Sequence, residues 1–168
     1  MTPAFHREIN ELCFLSRLYL EQAIQDGLAT IAGEGKKQRI HYHAVDYSER
    51  YSDPEEKVRA EYWAELIYRC DYKPEYIGIE VTVPDRTPSD RADLVVFEDA
   101  ERKHPFAVIE CKKDSVTEAE FEQAVEQAAG NGTWAKFRAK YVGVIAGKLR
   151  RRFLDFSEKY GVLEREAN

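Results

Sequence analysis

The sequence predicts an α/β fold in which a mixed sheet of about four to five strands is flanked by helices. Three observations lead to this prediction. Apolar side chains recur at helical spacing from Val58 to Cys70. Apolar and polar residues alternate from Ile77 to Val83, as in a strand with one buried face. Further along, an apolar strand, a helix and a second apolar strand follow one another, and such a unit forms a right-handed parallel crossover.

Bulk properties favour one soluble domain with a single core. The chain has 168 residues and contains no run of eighteen apolar residues that could cross a membrane. Its N-terminus lacks the features of a secretory signal. Three cysteines without a Cys-x-x-Cys pair favour a reducing, cytoplasmic location. The net charge of −6 is unusual for a strong nucleic-acid binder, so contact with DNA would depend on a local basic patch or on other domains.

The chain is predicted to divide at residue 50 into an extension and a core. Residues 1–50 are expected to form a helical extension packed on the core, with a helix from Ala4 to Ala32. A short strand is predicted over Ile40–Val45, and Ser48–Asp53 is expected to be a loop. Residues 51–168 are predicted to form the core domain.

Capping and turn signals set the limits of the core elements. Asp53 can cap a helix and Pro54 suits its first position, while Thr117 and Glu120 form a capping box. The strand that begins at Phe106 is apolar on both faces, which predicts a central position in the sheet. In chain order, the sequence predicts a helix from Asp53 to before Lys73, strands at Ile77–Val83, Ala92–Phe97 and Phe106–Ile109, a helix over Glu118–Ala129 closed by Gly130–Gly132, a strand at Tyr141–Ala146 and a short helix over Phe153–Tyr160.

The residues with the clearest chemistry lie at one end of the predicted sheet. Asp93 lies at the start of one strand and Glu110 at the end of the next. If these strands form a hairpin, the two carboxylates lie side by side, and such hard oxygen ligands suit Mg²⁺, with Mn²⁺ as a substitute. The backbone carbonyl of Cys111 can add a third ligand. Lys112 projects to the same side as Glu110, where an ammonium can orient or deprotonate a metal-bound water.

The Glu-x-Lys spacing is not diagnostic by itself, because it occurs four times in the chain. The four triplets are Glu34–Lys36, Glu55–Lys57, Glu101–Lys103 and Glu110–Lys112. Only the last directly follows an apolar strand and has an acidic residue at the start of a partner strand. The alternative interpretation is a strand that leaves the core for solvent through polar residues.

An ordered set of motifs resembles the N-terminal nuclease domain of type I restriction enzyme R subunits, a branch of the PD-(D/E)XK nuclease superfamily. The motifs are Asp53–Arg59, Ile79–Val81, Arg91–Phe97, Val108–Lys112 and Gln127. The resemblance extends from about Asp53 to Gly147. It implies a restriction-endonuclease-like fold and a divalent-metal-dependent DNA endonuclease of a restriction-modification system, which hydrolyses phosphodiester bonds with Mg²⁺.

The resemblance also implies roles for individual residues. Asp93 and Glu110 correspond to the metal-binding carboxylates, and Lys112 to the motif lysine of the catalytic set. Glu56 is similar to an acidic helix residue that adds to the metal site. Its alternative role is a carboxylate stabilised by the helix N-terminus.

Two further features concern DNA. Gln127 resembles the catalytic-site glutamine of a Gln-x-x-x-Tyr motif, although Asn131 stands at the tyrosine position. Gln123 is an alternative register for the same glutamine and also lacks a following tyrosine. Arg91 and the basic run Lys148–Arg152 are candidates for phosphate contact, and the alternative for the run is a solvated basic turn.

The implied partners are DNA and either further domains of the same polypeptide, helicase/translocase or methyltransferase, or modification and specificity subunits, with no membrane. The chain lacks a Gly-x-x-x-x-Gly-Lys-Ser/Thr loop, so a motor would lie in another segment. The alternative function is a catalytically inactive nuclease-fold module for DNA binding or subunit docking. An RNA or branched-DNA nuclease would use the same chemistry.

Overall fold

The computed structural model describes residues 15–85, 90–148 and 150–158. These residues contain a five-stranded mixed sheet, a smaller antiparallel sheet and three main helices. In chain order the elements are helix α1 (described over residues 15–25), strands β1 (Ala29–Ala32), β2 (Arg39–Tyr42) and β3 (Tyr47–Arg50), helix α2 (Pro54–Tyr68), strands β4 (Ile77–Thr82), β5 (Arg91–Phe97) and β6 (Pro105–Lys112), helix α3 (Glu118–Gly132), and strands β7 (Tyr141–Ala146) and β8 (Arg150–Asp155). The predicted α/β class and mixed sheet are confirmed.

The large sheet has the strand order β4-β5-β6-β7-β8. Strands β4, β5 and β6 pair antiparallel, β6 and β7 pair parallel, and β8 returns antiparallel to β7. The predicted crossover through α3 and the central position of β6 are therefore confirmed. Helix α3 packs on this part of the sheet through Phe121, Ala124 and Ala128, which share a core cluster with Val142 and Val144.

The helix starts follow the capping signals. The Asp53 side chain accepts a hydrogen bond from the Glu55 backbone N–H at 2.9 Å, and Thr117 and Glu120 form both bonds of a capping box. Helix α3 continues through Gly132, so the predicted end at Ala129 is wrong. A Cβ at Gly132 would collide with Val142 Cγ2, so glycine here allows the end of the helix to approach the sheet.

The N-terminal segment differs from its prediction. Helix α1 ends at residue 25, and Ala29–Ala32 pair with β2 instead of continuing the helix. The chain turns at Gly27, whose φ of 72° is accessible to glycine at low cost. Ser48 and its neighbours, expected to be a loop, lie in β3. Cross-strand pairing outweighs the local helical spacing here, and the part of the predicted helix before residue 15 lies outside the described residues.

The small sheet packs on the core through β2. Ile40 and Tyr42 are fully buried and share a cluster with residues of α2 and the large sheet. The Tyr42 ring contacts Trp63 edge-on, with ring centroids 5.0 Å apart. Strand β2 thus contacts the core, and residues 15–50 contribute strands as well as a helix. The domain boundary at residue 50 stays a prediction.

A short helix was predicted over Phe153–Tyr160, but the chain forms a strand up to Asp155 and, among the described residues, is helical only at 157 and 158. Strand β8 covers Arg150–Asp155 as the edge of the sheet, and residues from 159 on lie outside the described ones. Its arginines are held by glutamates of the two flanking helices: Arg150 by Glu118, Arg151 by Glu65 and Arg152 by Glu122. The basic residues of β8 are therefore paired along a strand, and the interpretation as a solvated basic turn is wrong for them.

A buried carboxylate joins α1, α2 and β8. The Glu65 side chain, 4% exposed, accepts two hydrogen bonds from Arg151 at 2.7 and 2.8 Å. It also accepts hydrogen bonds from Arg69 and Ser16. Burial acts to raise the pKa of Glu65, but these donors prevail and lower it. Its contribution to stability is therefore present above the pKa of an unfolded glutamate and is lost as the pH falls through the lower folded value.

We expect Glu65→Ala to lower the free energy of unfolding by about 2–3 kcal/mol, because Arg151 and Ser16 lose their acceptor. Glu122→Ala is the matched control, since its bond to Arg152 lies at the surface, where solvent screens it, and should contribute much less than the bonds of Glu65. Urea denaturation at pH 7 gives both values. Equal losses in the two variants would contradict the central role of Glu65.

Candidate active site

The predicted catalytic residues meet where β5 begins and β6 ends. Leu94 pairs with Ile109, which places Asp93 and Glu110 at the next positions along the two antiparallel strands. The Cys111 backbone N–H donates a hydrogen bond to Asp93 Oδ2 at 2.6 Å. The Asp93 carboxylate therefore accepts a bond from a backbone N–H of β6, and this bond fixes its orientation against that strand.

Alternation along β6 brings Lys112 to Glu110. Lys112 Nζ donates a hydrogen bond to Glu110 Oε1 at 2.7 Å, as expected for two residues on the same side of a strand. Glu110 is only 3% exposed because it lies in the central strand. Its second oxygen, Oε2, is buried and has no hydrogen-bond partner among the described residues. A buried acceptor without a donor is costly, and a bound cation would satisfy it.

Burial dominates the electrostatics of the two carboxylates. Burial, with the added charge of Asp93, raises the pKa of Glu110 to about 7, although Lys112 opposes the shift. Burial also raises the pKa of Asp93. Burial tends to lower the pKa of Lys112, but Glu110 and Asp93 raise it, so the ammonium stays charged. A further positive charge near the two carboxylates would therefore be needed for both to be fully ionised at neutral pH.

A buried guanidinium lies beside this pair. The Arg59 side chain is 7% exposed and comes from α2, one helical turn after Glu56. Arg59 donates hydrogen bonds to Glu56, to Glu80 and, at 3.4 Å, to Asp93 Oδ1. The guanidinium thus connects α2 with β4 and β5.

Glu56 is fully engaged by neighbouring side chains. The Tyr42 hydroxyl donates a hydrogen bond to its Oε1 at 2.6 Å, and Arg59 Nε donates to its Oε2 at 2.8 Å. Burial raises the pKa of Glu56, while Arg59 and Tyr42 oppose the shift. The predicted role of Glu56 as a metal ligand stays a prediction, and its carboxylate is held on the Arg59 side of the site.

Glu80 reaches the site through an irregularity in β4. Its φ is 52°, in the left-handed region that non-glycine residues seldom adopt. Before it, Ile79 packs in the core cluster that includes α2, and after it Val81 packs in the cluster on Val95 and Phe97. The prediction of a single buried face for β4 is therefore wrong, because the backbone changes faces at Glu80 and directs its carboxylate to Arg59.

Two pockets flank the site. One, of about 310 Å³, is lined almost entirely by charged groups and opens onto Asp93. Its lining residues are Glu49, Asp53, Glu55, Glu56, Arg59, Glu80, Asp93 and Cys111. The other, of about 300 Å³, is lined by Lys112 and Gln127 among others, and Glu55 borders both pockets. The structure thus brings Gln127 to the same pocket as Lys112.

A metal ion at this site would depend on few protein ligands. Among the described residues, no group of three His, Cys, Asp or Glu side chains is arranged to hold a metal ion. Asp93 and Glu110 supply two carboxylates, and the predicted third ligand, the Cys111 carbonyl, belongs to the backbone. The hard oxygen donors and the unpartnered Glu110 Oε2 fit Mg²⁺ or Mn²⁺.

A comparison with protein families agrees with the resemblance seen in the sequence. A family model described as type I restriction enzyme R protein N terminus matches residues 54–153, more than half of the chain. The chain belongs to this family. Comparison with curated proteins and with solved structures found no significant match. Over the described residues, no helix is long and apolar enough to cross a membrane.

The family match contains every residue of the predicted site, from Glu56 to Gln127. Asn131, which stands where the resemblance implies the tyrosine of the Gln-x-x-x-Tyr motif, is fully buried, and its Nδ2 donates a hydrogen bond to the Arg91 carbonyl at 3.5 Å. The Arg91 side chain is 64% exposed and lies 4.0 Å from Glu80. Asn131 therefore contacts the strand that carries Asp93, and Arg91 remains accessible to a phosphate.

Sequence reasoning did not assign roles to Arg59, Glu80 or Tyr42. Arg59 belongs to the family motif that begins at Asp53, and its position one turn after Glu56 was an available signal. Glu80 interrupts an otherwise apolar strand, which was a weaker signal of a special role. Tyr42 lies outside the family match, and nothing in its local sequence indicates that it reaches α2.

In metal-free protein, we expect Glu110→Gln to change how stability depends on pH. The raised pKa means that folded wild type binds a proton that the unfolded chain releases between about pH 4.3 and 7. The free energy of unfolding of wild type should therefore fall as pH rises through this interval, by on the order of 2 kcal/mol relative to Glu110→Gln.

Urea denaturation in EDTA at pH 5 and pH 8 measures this difference. The control is Glu101→Gln in the exposed β5–β6 hairpin, which should follow wild type at both pH values. If Glu110→Gln and wild type keep a constant difference between the two pH values, Glu110 does not titrate as described.

Proposed function

We propose that this domain is the nuclease of a restriction system and hydrolyses DNA phosphodiester bonds with a divalent metal ion, Mg²⁺ or Mn²⁺. The observation that supports this most directly is the pairing of half-buried Asp93 with buried Glu110. Lys112 bonds one Glu110 oxygen, and the other has no partner among the described residues. Membership of the type I restriction enzyme R-protein family supports the restriction context.

Asp93, Glu110 and the Cys111 carbonyl would hold the ion. When bound there, it would supply Lewis acidity toward water and toward the scissile phosphate. Asp93 is suited to this role because the Cys111 N–H fixes its orientation at 2.6 Å. Glu110 is suited to it because its Oε2 is already desolvated and meets no competing donor in the described part of the chain.

Lys112 would act on the water and the phosphate. Its ammonium is held by Glu110 in a partly exposed position, with 22% of the side chain accessible. From there it can donate hydrogen bonds to the attacking water and offset charge that develops on a phosphate oxygen. Gln127, on the same pocket, would position the DNA strand.

Recognition of DNA would require basic groups beyond the acidic pocket. Arg91 is exposed beside the site, whereas Arg150–Arg152 already pair with glutamates. The net charge of −6 therefore favours DNA delivery by other domains or subunits of the restriction system. We further propose that the domain acts in the cytoplasm, in line with its unpaired cysteines Cys70 and Cys111.

A second candidate is an inactive nuclease-fold module that binds DNA or docks other subunits. The acidic balance and the burial of Asn131 at the motif tyrosine position favour it. The two functions differ in metal binding. A catalytic domain binds Mn²⁺ and loses it on Asp93→Asn, whereas a docking module has no need of such a site.

We expect Asp93→Asn and Lys112→Ala each to lower Mg²⁺-dependent cleavage of plasmid DNA by about a hundredfold or more. Asp93→Asn removes a metal ligand, and Lys112→Ala removes the group that holds the attacking water. Cleavage of supercoiled and linear DNA, with and without EDTA, gives the rates.

The matched control is Lys103→Ala, since Lys103 belongs to an exposed Glu-x-Lys triplet in the hairpin and should leave cleavage unchanged. Thermal melting confirms that each variant is folded. Magnesium-dependent cutting that persists in both site variants would overturn the proposed mechanism.

A further inference from the structure

We propose that Arg59 takes the place of a second cation in the acidic pocket, so that the site binds a single divalent ion, at Asp93 and Glu110. This inference rests on the proposed function and adds the number of metal ions that the site uses. Arg59 acts in it as a positioning residue, because it touches the carboxylates and not the reacting groups.

The contacts of Arg59 are those expected of a bound cation. Its guanidinium is almost completely removed from solvent and lies between carboxylates from three different elements. It bonds Glu56 of α2, Glu80 of β4 and Asp93 of β5. A planar fork with five N–H donors can satisfy several carboxylates at once, which a lysine ammonium in the same place could do less well.

The acceptors of the site are divided unequally. On the Arg59 side, both oxygens of Glu56 and both oxygens of Asp93 have donors. On the other side, Glu110 Oε2 is a buried carboxylate oxygen without a donor among the described residues. A divalent ion therefore finds an unsatisfied ligand next to Glu110, whereas near Glu56 it would have to displace a guanidinium.

The balance of charges in the site also indicates a single divalent ion. Four carboxylates surround the two cations Arg59 and Lys112, which leaves two negative charges when all six groups are ionised. These carboxylates are Glu56, Glu80, Asp93 and Glu110. One divalent ion neutralises the set, and a second would leave excess positive charge in a buried site, where repulsion is weakly screened. Three other acidic residues line the pocket, Glu49, Asp53 and Glu55, and none of them forms an ion pair with Arg59 or Lys112 among the described residues. Glu49 is held instead by the Tyr47 hydroxyl and the Arg50 backbone N–H.

Counting bound Mn²⁺ tests the inference without reference to cleavage. Electron paramagnetic resonance of free Mn²⁺ at increasing metal concentration gives the number of ions per chain, and sites that disappear in Asp93→Asn belong to this pocket. We expect one such ion for wild type and two for Arg59→Met, because removal of the guanidinium leaves Glu56 and Glu80 as free ligands. The control Arg69→Met, which removes a half-exposed arginine at the end of α2, should retain one ion.

A single ion in folded Arg59→Met, or two ions in wild type, would overturn the inference while leaving the proposed nuclease function intact. No Mn²⁺ site in wild type that depends on Asp93 would instead contradict the proposed function itself. If Arg59→Met does not fold, crystals of wild type soaked in Mn²⁺ decide the matter through anomalous scattering. We expect one peak at Asp93 and Glu110 with Arg59 still on Glu56, and a peak between Glu56 and Glu80 would refute the inference.

Discussion

Loss of hydration at buried carboxylates is the constraint on which the rest of this structure depends. Asp93 and Glu110 lie where β5 meets β6, and removing them from water disfavours their charged forms. Each is accompanied by a donor that offsets part of this cost: the Cys111 N–H for Asp93 and the Lys112 ammonium for Glu110. The same requirement places Arg59 on the inner face of α2, so helix and sheet are joined by charge as well as by apolar packing.

The segment before the family match contributes to this arrangement. Tyr42 of β2 is fully buried, packs on Trp63 and donates a hydrogen bond to Glu56. The small sheet therefore supports the side chain that orients Arg59. A version of this domain cut at residue 54 would lose this hydroxyl and expose part of α2. The extension is thus a structural component of the site, although its own sequence carries no catalytic signature.

The parts of the site that could be predicted from the sequence are those whose geometry depends on residues close together along one strand or in one hairpin. The separation of two residues along β6 places Lys112 on Glu110, and hairpin pairing brings Asp93 to the same end of the sheet. Capping residues located the starts of α2 and α3 for the same reason. Partners that depend on tertiary packing could not be predicted in this way. Tyr42 reaches Glu56 only after two sheets have packed on α2, and β1 forms because pairing with β2 outweighs helical spacing.

Under the proposed function, stability and activity have opposite requirements at Glu80. A left-handed backbone conformation costs a residue with a Cβ about 1–2 kcal/mol, and glycine would avoid most of that cost. Glycine would also remove the carboxylate that β4 supplies to Arg59. Selection for thermal stability alone would therefore be expected to replace Glu80, and its retention would have to be maintained by selection for activity. Position 80 is accordingly where a stabilised version of this domain would first be expected to lose function.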